Sequence, residues 1–187
     1  MKKRMFGMLV ISILMLALSG CKDSNEANLK KDSRMERWVS PDGSFTLPLD
    51  EKDWKVEKES NGELHFLNHK NEKFSFSVSK WDGLQFPEDF DYEEYYSGYV
   101  EDIRLEFPDA EETGVLMLES EEAAIVQMGV RYQVLENLCQ VTTSMIAVPG
   151  SEDTLCFVAI YPAENKKEQE AEFEKIVTGI RFDLEKE

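Results

Sequence analysis

The stretch Phe74-Ser75-Phe76-Ser77-Val78-Ser79 alternates apolar and small polar residues without a break. A period of two belongs to the β-strand, whose successive side chains point to opposite faces. One face covered and one face polar is the pattern of an antiparallel sheet. The same period recurs in Asp53-Trp54-Lys55-Val56-Glu57 and in 123–135, where Ala124, Val126, Met128, Val130, Tyr132 and Val134 share a face. Asn61-Gly62 and Pro41-Asp42-Gly43 are turn signals between extended pieces. Strands are therefore expected at 53–57, 63–68, 73–81, 113–119, 123–135, 138–148 and 154–161. The last four read as an antiparallel meander, with turns at Glu136-Asn137 and at 149–153.

Two stretches break this period. Tyr92, Tyr96, Tyr99, Val100 and Ile103 stand at helical spacing, with Asp91 as cap candidate, Glu93 and Glu94 in the first turn, and Pro108 beyond the end. Phe173, Ile176, Val177 and Ile180 form a second apolar stripe, in a helix expected over 165–178. Asn165 is its cap candidate and Gly179 its stop. Strands, helix, strands, helix gives an α+β class: an antiparallel sheet flanked by helices.

The N-terminus bears on location. Met1-Lys2-Lys3-Arg4 is basic, the next apolar run is about 14 residues long, and Leu18-Ser19-Gly20-Cys21 closes it. Spanning a bilayer takes roughly 20 residues. The pattern is that of an export signal, and its end resembles the bacterial lipobox, in which the chain is cut before a cysteine that then carries lipid. The expected organisation is a signal peptide at 1–20, lipidated Cys21 with a flexible tether at 21–37, and one domain at 38–187. The tether would reach roughly 20–25 Å as a coil. The membrane would be a partner through the lipid on Cys21, and the body would sit outside the cytoplasm. Net charge is -17, or -20 without Lys2, Lys3 and Arg4. Such a charge repels nucleic acid and anionic headgroups.

The candidates for chemistry are few. His65 and His69 lie four apart in a strand and turn, which spreads their rings by roughly 13 Å instead of closing a metal site. They read as a surface pair. Cys139 and Cys156 fall on neighbouring strands, with Cys156 opposite about Ile146, so a bridge is out of register. Both read as free, buried thiols. Asp89, Asp91, Glu93 and Glu94 crowd the first helix start, but an EF-hand loop counted from Asp89 lacks its glycine and its closing glutamate. They read as a cap with solvated charge, or as a loose calcium site. Tyr92, Tyr95, Tyr96 and Tyr99 either pack on the sheet or line a groove, with Tyr95 the one expected to be exposed. No cofactor, metal or catalytic residue is assigned.

A resemblance rests on Gly43-Ser44-Phe45-Thr46-Leu47-Pro48, Trp54, the mid-chain helix and the closing Phe173-Glu174-Lys175-Ile176-Val177-Thr178-Gly179-Ile180-Arg181-Phe182. Together they resemble the PsbP-type α-β-α sandwich. That fold is shared by the photosystem subunit PsbP, a Ran-binding nuclear import factor and bacterial lipoproteins of the DcrB type. The resemblance covers about 38–182 and implies a small binding or scaffold subunit without enzymatic activity. PsbP's metal and partner residues find no matching positions here. The expected function is a membrane-anchored accessory module for another envelope protein. The alternatives are an envelope enzyme with an unfamiliar site, or a small-ligand or calcium-binding lipoprotein.

Overall fold

A computed structural model describes residues 30–32, 35–50, 52–58, 62–71, 73–83 and 90–182. Cys21, the signal segment and Asp89 lie outside them. The strands are β1 (Lys30–Asp32), β2 (Met35–Val39), β3 (Phe45–Leu47), β4 (Trp54–Lys58), β5 (Leu64–Asn68), β6 (Ser75–Trp81), β7 (Glu111–Glu119), β8 (Ala124–Val134), β9 (Asn137–Ala147), β10 (Thr154–Pro162) and β11 (Arg181–Phe182). The helices are α1 (Tyr92–Arg104) and α2 (Lys166–Thr178), the latter entered through a 3-10 turn at Ala163–Asn165. Asn165, the expected cap, is the last residue of this turn and immediately precedes α2; its side chain lies outside the described residues.

The main sheet is seven-stranded, in the order β4-β5-β6-β10-β9-β8-β7, and the small sheet runs β1-β2-β3-β11. Every pairing is antiparallel. The β7 to β10 meander is present as expected. Helix α1 carries the chain from β6, in mid-sheet, to the far edge at β7. The β8–β9 turn sits one residue earlier than expected, at Leu135-Glu136, because Val134 pairs with Asn137.

Alternation sorts the core into two layers. On one face Phe66, Phe76, Phe157, Ile125 and Ile146 pack with Trp38 and Leu47 of the small sheet and with Phe173, Ile176 and Val177 of α2. Phe66 and Phe76 stack at 4.4 Å, and Trp38 and Trp54 meet them edge-on at 5.0 and 5.1 Å. Each such pair adds about 0.5–1.5 kcal/mol beyond its buried area. On the other face Met128, Val130, Val141, Cys156 and Val158 meet Tyr96, Tyr99, Val100 and Ile103 of α1. Helix, sheet, and helix with small sheet make three layers, the α+β sandwich that the sequence called for.

The folded body begins earlier than 38. Strands occupy Lys30–Asp32 and Met35–Val39, inside the stretch expected to be tether. Arg37 is bound into the fold: its guanidinium donates to Thr46 Oγ1 at 2.9 Å and to Gly179 O at 2.6 Å, just past the end of α2. A cation there complements the negative helix terminus. Charge balance and the lack of an apolar period concealed this, because β2 is defined by pairing with β3 and β1 by pairing with β2.

Candidate functional site

The tyrosine helix turns its stripe inward. Asp91 caps α1 by accepting from the Glu94 amide at 2.9 Å. Tyr96, Tyr99, Val100 and Ile103 are then buried on the sheet. The Tyr96 hydroxyl donates to Gly129 O at 2.5 Å and accepts from the Thr113 and Gly114 amides, each at 3.0 Å. Tyr99 shares a hydrogen bond with Thr143 Oγ1 at 3.1 Å. Burial pushes the phenols of Tyr95, Tyr96 and Tyr99 up. Tyr95, expected to be the exposed one, is half-buried and rests against Phe90 at 5.2 Å. These four residues do not line an open groove; their rings join the layer beneath α1.

His65 and His69 separate as their strand spacing implies. His69 is exposed in the β5–β6 turn, while His65 is half-buried on β5, opposite Glu57 and Ser77. The pair is thus only half at the surface. His65 Nε2 lies 3.9 Å from the buried Glu63 carboxylate, and Lys55 holds Glu57 at 2.6 Å. Sequence reasoning missed this Glu57–His65–Glu63 group, although residues 63 and 65 share a face by strand period.

Cys156 is buried and Cys139 half-buried, both free. Cys156 pairs with Met145 and Cys139 with Pro162, far apart along β9–β10. Burial, reinforced by the negative charge of Glu63, pushes the Cys156 thiol well up, and burial also raises Cys139. A thiol held protonated is a poor nucleophile. Among the described residues no group of three or more His, Cys, Asp and Glu is placed to hold a metal. No helix among them is long and apolar enough to cross a membrane.

The surface is informative in two places. At one end, Leu135 and Leu138 are exposed at the β8–β9 tip, beside the end of α1 with its exposed Leu105. Phe107, just past α1, stacks on Tyr132 at 4.3 Å and ties this helix end to the hairpin. Leu135 has φ of 55°, a left-handed conformation that glycine or asparagine adopts far more readily than leucine. The second place is β7, where Leu116 is 51% and Met117 57% exposed on opposite faces of an edge strand. Both present large apolar side chains to solvent. Sequence reasoning missed them because exposure of a leucine depends on its strand's place in the sheet.

No family model and no curated protein matches this sequence. Solved structures do. Cyanobacterial PsbP (CyanoP) from Synechocystis sp. PCC 6803 superposes with a TM-score of 0.59 at 11% identity, over 89% of this chain and 99% of that one. The Ran-binding protein Mog1p of Saccharomyces cerevisiae gives 0.51 at 11% identity, over 83% and 96%. A protein of Bacteroides thetaiotaomicron gives 0.58 at 12% identity over 82% of this chain, which spans half of that longer one. At these identities the likeness is one of fold: the chain has a PsbP-like α+β fold.

Proposed function

We propose that this PsbP-like domain is a non-catalytic accessory module of the bacterial cell envelope, anchored through lipid on Cys21 and holding another envelope protein. The observation that carries the reading is the placement of apolar surface. Leu105, Leu116, Met117, Leu135 and Leu138 are each at least half exposed on a strongly acidic body. Leu135 is moreover kept in a backbone conformation that costs a leucine on the order of 1 kcal/mol. Exposed apolar side chains and locally strained backbone are features of recognition surfaces. The candidate chemical groups, by contrast, are built into the core: Tyr96 and Tyr99 bond the sheet, and Cys156 stays protonated.

The anchoring half of the reading rests on Lys2-Lys3-Arg4, the apolar run and Leu18-Ser19-Gly20-Cys21. Arg181 and Phe182 bond Glu121 and Glu122 in the β7–β8 turn, so β11 of the small sheet sits at the end of β8 opposite Leu135.

Expression of the full-length chain in a bacterium supplied with a radiolabelled fatty acid tests the anchor. The label is expected on the wild type and absent from Cys21→Ala, whose apolar run stays uncut. A Cys21→Ala chain that still carries the label, or a wild type that does not, contradicts it.

A further inference from the structure

Strand β7 carries four successive apolar residues, Val115, Leu116, Met117 and Leu118. A run without alternation belongs to a strand covered on both faces, with neighbours on both sides. Yet β7 is an edge: among the described residues it pairs with β8 alone. The first part of this edge is closed. A register irregularity between Glu112 and Gly114 kinks it, and the Tyr96 hydroxyl takes up the Thr113 and Gly114 amides. From Val115 to Glu119 no described residue outside β8 pairs with it, and Leu116 and Met117 are exposed on its two faces.

The opposite edge shows what a guarded strand looks like here. Strand β4 alternates Lys55 and Glu57 with Trp54 and Val56. Charges on an edge are a common defence against strand pairing. Strand β7 has none between Val115 and Leu118, and its charges sit at the two ends: Glu111 and Glu112 before, Glu119, Glu121 and Glu122 after.

From this we infer that β7 accepts an extended segment of a partner protein as an eighth strand, apolar at its centre and flanked by lysine or arginine. The inference rests on the binding-module reading and names its surface. Backbone hydrogen bonds along Val115–Glu119 supply the affinity, and Leu116 and Met117 cover the segment's apolar residues on both faces. Glu111 and Glu112 already pair with Arg131 and Arg104, and Glu121 and Glu122 with Arg181, so Glu119 at the end of the open stretch and the net charge of -17 favour a basic flank and steer its approach. A second copy is a poor occupant. Self-pairing over the open stretch would bring together two bodies of charge -17 each, which repel.

The probe is acetyl-Lys-Lys-Val-Val-Val-Lys-Lys-amide, added to the full-length chain in neutral detergent and read by calorimetry and amide hydrogen exchange. The expected result is binding at up to about 1 mM peptide, with new protection confined to residues 115–119. N-methylation of alternate valines should weaken it about tenfold or more, and glutamate flanks should remove it. The double variant Leu116→Glu/Met117→Glu should also lose it, with an unchanged circular dichroism spectrum. Absence of binding, protection elsewhere, or indifference to N-methylation overturns the proposal. So does a chain that sediments as a dimer with residues 115–119 already protected. If the double variant still captures the cognate partner in cells, the edge proposal fails while the binding-module reading stands. Absence of any partner for the wild type removes the reading itself.

Discussion

Tyr96 shows how one hydroxyl can join three elements. Its oxygen accepts two successive amides of β7 and donates to Gly129 O on β8, while its ring lies in the α1 layer. Phenylalanine there keeps the ring and removes the partner of the buried Gly129 carbonyl, while the half-buried Thr113 and exposed Gly114 amides can turn to water. An unmet buried group costs about 1–3 kcal/mol, so Tyr96→Phe should lower unfolding free energy by about that much in urea titration. Hydrogen exchange should speed up first at Thr113 and Gly114. An unchanged midpoint would mean that water replaces the hydroxyl freely. Gly129 belongs to the same cluster: a Cβ there would fall 2.2 Å from Thr113 Oγ1, so the close packing of β7 on β8 requires glycine. None of this was legible in the chain. The tyrosine stripe announced a buried helix face, but which hydroxyl meets which strand depends on the crossover that brings α1 over β7.

At the scale of elements, polar turns fix how the strands end. Asp153, between β9 and β10, accepts from Lys80 Nζ at 2.8 Å and from the Gly83 amide at 3.2 Å, so it ties that turn to the end of β6. The Lys80 ammonium, helped by Ser151 and the Gly83 amide, holds its carboxyl at about 2, below the ordinary 3.8. A depressed carboxyl stabilises the fold above its unfolded pKa and loses that contribution as pH falls through the folded one. The melting temperature of Asp153→Asn should therefore lie below wild type at pH 7, and the gap should close between about pH 4 and pH 2. A gap that stays constant over that window would exclude the ion pair as its cause. Element types were largely legible, since period two and helical spacing are local properties. Boundaries were less so. Strands β1 and β2 were missed because Lys30-Lys31-Asp32 and Met35-Glu36-Arg37 carry no alternation, and only the pairing of β1 with β2 and of β2 with β3 defines them. Leu116 and Met117 were read as strand residues, but nothing local states that β7 is the last strand of the sheet.

For the whole molecule, the sheet divides two apolar layers, and the groups that might have performed chemistry serve in them. Cys156 fills space beneath α1, Tyr99 bonds Thr143, and Tyr161 bonds Thr142 at 2.8 Å. The chain is acidic overall, with a net charge of -17, and its exposed large apolar side chains lie on the β7 edge, at the Leu135 end and at Leu105. An acidic body with two apolar windows is suited to hold a partner, which is the central claim. It is tested most directly by placing a photo-crosslinking amino acid, in living cells, at Met117, at Leu135 and at the exposed control position Lys73. The account predicts an adduct with one protein, identified from its crosslinked peptides and near-stoichiometric, from Met117 or Leu135 and not from Lys73. No adduct at either window, or the same diffuse adducts from all three positions, would contradict it.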